Sequence, residues 1–373
     1  MGEEARMSAE EARSGGRPRP RNLREVDRGL IGSSGTGQRH QPPVAGEGGW
    51  VVEGALASRL WNKSAIGRLQ GDRLMLNSEE VLFCHWNRHL PLPDVDWIES
   101  ILQTDSEVLH RAAALTTLRE PGDVLMIVGV DDEHPGTWGL RWNRGQHPSR
   151  DEPSAEVRWV QSESPLDWRD LLAWTDAVAS EGRCAEVLVV DGEFDVTAYR
   201  LNIADLQGAS RKPSELTAAD LGSLQSAWRQ RTASGEGNWL PLVAQDSPLP
   251  QIGVPQASGV WLNAIESEWL EARLQREGIE SPVTELYDEL LERGLWPRPG
   301  FKYGCRWRIY SADVGAQHAP WLLVPLDEAP VDWNQACLSA RLAAGVNKSW
   351  ICAIEQDIGF GFLEMHRWSP GKA

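Results

Sequence analysis

Two neighbouring stretches near the C-terminus decide the fold, CRWRIYS (305–311) and HAPWLLVPL (318–326). Residues alternate in the first stretch, which puts Trp307 and Ile309 on the core face of a strand. The other face carries two arginines and Tyr310, and we expect this basic face to point away from the core. The second stretch is a continuous apolar run, which is typical of a buried strand. The two stretches are therefore predicted to pair as a hairpin.

A helix and a third strand follow the predicted hairpin. Asp332 is predicted to begin the helix, with Gln335 as a capping-box partner, and Gly345 to mark its end. Residues at helical spacing form its predicted core side: Trp333, Ala336, Cys337, Ala340 and Ala344. SWICAI (349–354) has the composition of another buried strand. Strand, helix and strand in this order make a parallel crossover, so a mixed α/β sheet is predicted.

The same motifs occur earlier in the chain. WGLRWNRG (138–145) resembles YGCRWRIY (303–310), and PLDW (165–168) resembles PVDW (330–333). Both pairs are 165 residues apart, which indicates two copies of one unit. Four segments upstream of the two predicted sheets are expected to be helical: 55–61, 78–87, 269–275 and 284–293.

Composition narrows the possible functions. The chain has 373 residues, with 37 Lys and Arg against 54 Asp and Glu, and a net charge of -17. A protein coated with positive charge for nucleic-acid binding is excluded. No apolar run is long enough to span a membrane, and the N-terminus lacks the apolar segment of a signal peptide, so a soluble cytoplasmic protein is expected. Five widely spaced cysteines without a CxxC pair indicate neither a disulfide framework nor a cysteine zinc site.

Three residues with suitable chemistry fall at equivalent ends of the predicted elements. Tyr310 ends one strand, His318 begins its hairpin partner and Lys348 precedes the crossover strand. The predicted topology brings them to one edge of the sheet. A phenol, an imidazole and an ammonium can cleave RNA without a metal, by proton transfer from the ribose 2'-hydroxyl, proton transfer to the 5'-oxygen and stabilisation of the phosphorane. Taken singly, each residue is more simply explained by packing or solvation.

The order and spacing of these motifs resemble a known family. GFKYGCRWRIY (300–310), His318, and a helix that begins with DW and ends RLAAGVNK (341–348) resemble the catalytic core of archaeal tRNA-splicing endonucleases over residues 283–368. LWNKSAIGR (60–68) resembles that family's N-terminal subdomain more weakly. The resemblance implies the tandem-repeat, homodimeric form of the family, with no cofactor and no metal.

The resemblance also assigns roles to single positions. It implies that Tyr310 is the general base, His318 the general acid and Lys348 the cation that stabilises the phosphate. Arg341 and Arg367 match the pair of arginines with which the family sandwiches a bulged base of its RNA. The implied substrate is precursor tRNA, cut at bulge-helix-bulge junctions to leave 2',3'-cyclic phosphate and 5'-hydroxyl ends.

The first copy lacks this chemistry. The 165-residue offset places Gly145, Pro153 and Arg183 at the positions of the three candidate residues, and Gly and Pro cannot transfer protons. In the family form that the chain resembles, an acidic loop of such a degenerate unit inserts into the catalytic half of the partner subunit. VVDGEFDVTAY (189–199) resembles that loop. Its tip carries three acidic residues: Asp191, Glu193 and Asp195.

The predicted fold class is therefore α/β with mixed sheets, in two repeated units. Each unit has a small helical N-terminal subdomain and a mixed-sheet, nuclease-like domain. The predicted divisions are a disordered tail (1–45), the first N-terminal subdomain (46–95), a degenerate domain (96–203), a linker with the N-terminal part of the second unit (204–282) and a catalytic nuclease domain (283–373).

Two other functions remain open from the sequence. A metal-dependent restriction-type nuclease also has a small mixed α/β core, but it needs paired carboxylates near a lysine, usually as ExK. No ExK or DxK occurs in the chain. A non-catalytic RNA-binding or assembly subunit would not need Tyr310, His318 and Lys348 together. Cleavage in EDTA separates the three hypotheses.

Overall fold

The computed structural model describes residues 40–128, 134–315 and 318–371. Most of the predicted disordered tail, residues 1–39, lies outside the described residues. The last positions of that predicted tail do contain structure, because the first strand, β1, spans Val44–Gly46. No helix in the described ranges is long and apolar enough to cross a membrane.

The elements of residues 44–203 alternate between short strands and helices. In chain order they are β1 (Val44–Gly46), β2 (Gly49–Glu53), α1 (Gly54–Ser64), β3 (Arg68–Gln70), β4 (Arg73–Leu76), α2 (Ser78–Arg88), α3 (Trp97–Thr104), α4 (Val108–Arg119), β5 (Val124–Ile127), β6 (Gly139–Trp142), β7 (Ala155–Gln161), α5 (Trp168–Ser180), β8 (Cys184–Val190) and β9 (Val196–Ile203).

The elements of residues 218–368 follow a similar order. They are α6 (Ala218–Arg229), β10 (Thr232–Ser234), β11 (Gly237–Leu240), β12 (Val254–Gln256), β13 (Gly259–Leu262), α7 (Ala264–Gln275), α8 (Pro282–Glu292), β14 (Trp296–Pro299), β15 (Trp307–Tyr310), β16 (Trp321–Pro325), α9 (Trp333–Gly345), β17 (Ser349–Glu355) and β18 (Phe360–Trp368).

One large mixed sheet joins the two parts of the chain. Within the described residues it has ten strands in the order β14-β15-β16-β17-β18-β9-β8-β7-β6-β5. β16 and β17 are parallel, as are β7 and β8, and the other pairs are antiparallel. The order on one side of the β18–β9 pair therefore repeats on the other side. The predicted mixed α/β fold is confirmed.

The predicted hairpin and crossover near the C-terminus are present. Ile309 pairs with Trp321 across β15 and β16, and α9 connects β16 to the parallel β17. The carboxylate of Asp332 accepts the backbone N–H of Gln335 at 2.9 Å and so caps α9. The Gln335 side chain returns to that carboxylate rather than to the backbone N–H of the cap.

Three details of the predicted elements were wrong. The strand spans Trp307–Tyr310, which is shorter than 305–311. Ala343 is buried on the core side of α9, whereas Ala344 is exposed. Tyr310 does not point into solvent with the basic face: only 7% of it is exposed, because it packs in a small cluster with Trp296 and Ala319.

The large sheet has a core on each face. On one face, Trp307 and Ile309 of β15 pack with residues of α7 and α8. On the other face, α5 and α9 pack side by side in one cluster that contains residues from both parts of the chain. The rings of Trp168 and Trp350 lie 5.1 Å apart in this cluster. The parts therefore share a continuous apolar core as well as a sheet.

Each part also has a small antiparallel sheet beside its helices. The strand orders are β1-β2-β4-β3 and β10-β11-β13-β12. A buried glutamate fixes each sheet to the helix that follows it. Glu80 accepts the backbone N–H groups of Gly67 and Asn77, and Glu266 accepts those of Gly253 and Asn263. The predicted helical subdomains thus contain strands that the periodicity of the sequence did not indicate, and residues 204–282 are well structured.

Candidate functional site

The three candidate residues lie at one edge of the large sheet. Ile309 pairs with Trp321, and Trp321 pairs with Ser349, so Tyr310 and Lys348 lie one position further along on either side of the β16 chain. Neighbouring strands are about 4.8 Å apart, which puts the Cα atoms of Tyr310 and Lys348 about 10 Å apart. Side chains at this separation can reach the same phosphodiester.

Ala319 connects the three residues. The Tyr310 ring packs in one cluster with Ala319 and Trp296. The Nζ atom of Lys348 donates a hydrogen bond to the carbonyl oxygen of Ala319. His318 directly precedes Ala319 and is exposed. The buried phenol, the ammonium and the accessible imidazole thus meet around a single backbone position.

The ammonium of Lys348 lies in a positive environment. Partial burial lowers its pKa, and the nearby guanidinium of Arg308 lowers it further, while the thiol of Cys305 has the opposite effect. Nζ also lies 5.8 Å from the centre of the Tyr303 ring, a cation–π distance. Positive charge is therefore concentrated at this edge although the chain as a whole is acidic.

The two candidate base-binding arginines are exposed and lie near each other. Arg341 is on α9 and Arg367 is on β18, at the register position opposite Tyr199 of β9. Burial raises the pKa of the Tyr199 phenol, and the positive charges of Arg367 and Arg341 oppose this rise, which places both guanidinium groups close to Tyr199. The hydroxyl of Tyr199 lies 3.5 Å from the carbonyl oxygen of Cys337. Tyr199 comes from the first part of the chain, and no sequence signal indicated it.

The first part of the chain has a different set of residues at the corresponding edge. Trp142 pairs with Val124 as Tyr310 pairs with Trp296, so Trp142, and not Gly145, occupies the position of Tyr310. The offset is 168 residues for β6 and β15 but 165 for α5 and α9, because the loops that follow β6 and β15 differ in length.

The other two positions complete this comparison. Ser154 accepts the N–H of Cys184 as Pro320 accepts that of Ser349, which makes Glu152, and not Pro153, the counterpart of His318. Arg183 does correspond to Lys348, but its Nη1 atom lies 2.8 Å from Oε1 of Glu156. The cation at this edge is therefore neutralised by a carboxylate.

The acidic hairpin between β8 and β9 has members with different roles. Oδ1 of Asp191 accepts the backbone N–H groups of Glu193 and Asp195, each at 2.9 Å, so it stabilises the turn itself. Glu193 and Asp195 are exposed at the tip. Phe194 has a left-handed backbone with φ of 62° and packs edge-on against His110. The hairpin is a defined turn that presents two carboxylates.

No group of three or more His, Cys, Asp or Glu side chains in the described part of the chain is arranged to hold a metal ion. The chemistry that the sheet edge offers is that of a phenol, an imidazole and an ammonium. Such a set can transfer protons to and from oxygen atoms and stabilise negative charge between them.

Comparisons with known proteins point to one family. The family described as tRNA intron endonuclease, catalytic C-terminal domain, matches residues 284–359, a range that contains all three candidate residues. A tRNA-splicing endonuclease of Methanococcoides burtonii is 24% identical over 355 residues, which cover 85% of this chain and 96% of that protein. A tRNA-splicing endonuclease of Natronomonas pharaonis is 25% identical, covering 80% of this chain and 90% of that protein.

A third relative matches a shorter part of the chain at higher identity. The tRNA-splicing endonuclease of Sulfurisphaera tokodaii is 33% identical over 70 residues, which cover 18% of this chain and 39% of that protein. The matched catalytic domain and the relatives that extend over most of the chain agree with each other, and the chain belongs to the tRNA-intron endonuclease family and is an endonuclease.

Proposed function

We propose that the chain excises introns from precursor tRNA by metal-independent cleavage at bulge-helix-bulge junctions, as a lyase that leaves 2',3'-cyclic phosphate and 5'-hydroxyl ends. The observation that carries the proposal is the meeting of Tyr310, His318 and Lys348 around Ala319 in the domain that matches the family. A cytoplasmic location is part of the proposal.

The proposed reaction is an in-line displacement at phosphorus. Tyr310, as the phenolate, takes the proton of the ribose 2'-hydroxyl, and the 2'-oxygen forms a bond to phosphorus. The bond from phosphorus to the 5'-oxygen breaks, and that oxygen takes a proton from the imidazolium of His318. Lys348 stabilises the additional negative charge of the phosphorane. The exposure of His318 suits a group that must reach the leaving oxygen of a large RNA.

Arg341 and Arg367 are proposed to hold a bulged base between their guanidinium planes. Their exposure and their common proximity to Tyr199 support this role. The enzyme would then recognise the shape of the junction, because side chains cannot enter the deep, narrow major groove of A-form RNA.

The two parts of the chain are proposed to be copies of one unit, and the chain is proposed to form a homodimer. The mirrored strand order about the β18–β9 pair supports the duplication. Trp142 and the neutralised Arg183 support the proposal that the first copy is inactive. Docking of the hairpin at 191–195 against the catalytic half of a partner subunit is the proposed means of assembly.

An end-labelled precursor tRNA with one intron tests the function. We expect the same cleavage rate in EDTA and in Mg²⁺, cyclic phosphate and 5'-hydroxyl ends, and no cleavage when the scissile nucleotide carries 2'-deoxyribose. Loss of cleavage in EDTA, or 3'-hydroxyl and 5'-phosphate ends, would support a metal-dependent nuclease instead. Tight binding of the RNA without any cleavage would support a non-catalytic subunit.

A further inference from the structure

A second cation faces the candidate site from the same strand as Tyr310. Arg308 lies two residues before Tyr310 on β15, so both side chains project from the same face of the sheet. Its guanidinium carbon lies 5.8 Å from the centre of the Tyr310 ring. Its Nε atom donates to the carbonyl oxygen of Pro299 at 3.1 Å, which holds the side chain in place. Arg308 is half-buried, so its orientation is fixed while its terminal nitrogens stay accessible.

The charge of Arg308 is not neutralised by the protein. Arg306, two residues earlier, pairs with Glu328. In the described ranges no carboxylate pairs with Arg308 or with Lys348, although these two cations are close enough for one to influence the other. Like charges held together without a counter-charge are unfavourable, and such arrangements cluster at sites that bind an anion.

The corresponding edge of the first part of the chain supports this interpretation. Leu140 pairs with Glu156 as Arg308 pairs with Leu322, so an apolar residue occupies the position of Arg308 there. Glu156 also neutralises Arg183, the counterpart of Lys348. The edge without a Tyr thus lacks the second cation, and its remaining cation is paired.

We propose that Arg308 is a fourth catalytic residue, whose guanidinium donates hydrogen bonds to a non-bridging oxygen of the scissile phosphate beside Lys348. The proposal rests on the function proposed above. A phosphodiester with one negative charge becomes a phosphorane with two, so a second cation gains most in the transition state. The planar guanidinium can donate two parallel hydrogen bonds, which a lysine cannot do.

Three variants test the proposal against intron-containing precursor tRNA in single-turnover reactions at saturating enzyme. Arg308→Ala should lower the cleavage rate by about a hundredfold to a thousandfold, the effect of removing one donor that stabilises a transition-state oxygen. The dissociation constant for the RNA should change far less. Arg308→Lys should restore part of the rate. The matched control Arg306→Ala removes a cation of the same strand that is already paired, and should cleave within a few-fold of wild type.

Chemical rescue distinguishes direct contact from a structural role. Free guanidinium, well below denaturing concentrations, should raise the rate of Arg308→Ala in a saturable manner and leave Arg306→Ala unchanged. If Arg308→Ala fails to fold, Arg308→Gln allows the same measurement. A wild type that leaves cyclic phosphate ends together with an Arg308→Ala or Arg308→Gln variant of equal rate would overturn this proposal alone. A wild type that cleaves no precursor tRNA would overturn the proposed function itself.

Discussion

The three proposed catalytic side chains are held in different ways. Tyr310 is packed between Trp296 and Ala319, and Lys348 is hydrogen-bonded to a backbone carbonyl, whereas His318 is exposed in the loop before β16. His318 therefore contributes least to folding of the three. Its replacement should report on chemistry with little interference from stability.

We expect His318→Ala to lower the single-turnover rate by roughly a hundredfold to ten-thousandfold, the range for loss of a general acid or base. RNA binding should remain nearly intact. Arg183→Ala in the first part of the chain is the control, and its cleavage rate should stay close to that of wild type. An Arg183→Ala variant as slow as His318→Ala would contradict the proposal that the first copy is inactive.

Glu186 offers a test of stability without an effect on the proposed site. This fully buried carboxylate accepts hydrogen bonds from Nε and Nη2 of Arg141 at 2.6 and 2.9 Å and from Nε of Arg200 at 3.0 Å. Glu186→Gln should lower the free energy of unfolding by about 3 to 5 kcal/mol, because a buried guanidinium is left without its counter-charge. Urea unfolding followed by circular dichroism measures this difference. Glu193→Gln, at an exposed position, should leave the unfolding midpoint unchanged.

Short patterns predicted the strands and helices of the candidate site well. The alternation in WRIY, the apolar run of β16 and the cap at Asp332 are local signals, and each produced the expected element. The edge that carries the three candidate residues followed from the topology of those elements. Local patterns could not show that Tyr310 packs against Ala319, because that contact depends on the loop after β15.

The internal comparison was correct only where spacing is constrained by packing. α5 and α9 begin 165 residues apart because helix and strand are buried together, whereas the exposed loops after β6 and β15 differ in length. A single offset therefore misplaced Gly145 and Pro153. The short strands β10–β13 lie next to turns and have few alternating residues, so the sequence gave no clear signal for them.

The segment before α6 provides a test of how the proposed catalytic strand is supported. The N–H of Gly208 bonds to the carbonyl oxygen of Arg293, and that of Ala209 to Ser311, directly after Tyr310. A Cβ atom on Gly208 would lie 2.0 Å from the carbonyl oxygen of Gly294, which is backbone and cannot easily move. Gly208→Ala should lower the free energy of unfolding by about 1 to 3 kcal/mol and reduce cleavage.

Gly222 is the matched control for Gly208. It lies within α6, and an added Cβ atom would meet nothing within 4 Å. Gly222→Ala should raise the free energy of unfolding by about 0.5 to 1 kcal/mol, because Ala favours a helix. Thermal unfolding of both variants measures the contrast. A Gly208→Ala variant as stable as wild type would mean that this segment does not support β15.

For the molecule as a whole, the acidic hairpin and the positive edge suggest how two copies associate. The net charge of -17 would repel RNA and other copies of the chain, so the positive charge near Lys348 must be concentrated to be effective. A hairpin that presents Glu193 and Asp195 fits a positive pocket on a partner. Charge complementarity of this kind fixes the orientation of docking.

Neutralising the two exposed carboxylates tests this assembly. Loss of one partner of a buried charge pair costs about 2 to 5 kcal/mol, so Glu193→Gln combined with Asp195→Asn should weaken the dimer at least about thirtyfold. Light scattering measures the dimer, and cleavage should fall with it. Asp191→Asn is the control, because the amide oxygen can still accept the N–H groups of the turn. A double variant that remains dimeric and active would make the hairpin an ordinary surface turn.

The pairing of β9 with β18 also matters while the chain is being made. Roughly 160 residues separate the two strands, and at about 5 to 20 residues per second their synthesis takes roughly 8 to 30 seconds. Throughout this time the hydrogen-bonding edge of β9 has no native partner, and an open edge readily pairs with strands of other chains. The strand that unites the finished molecule is therefore its main risk of aggregation on the ribosome, and protection of nascent β9 is what sets the yield of folded protein.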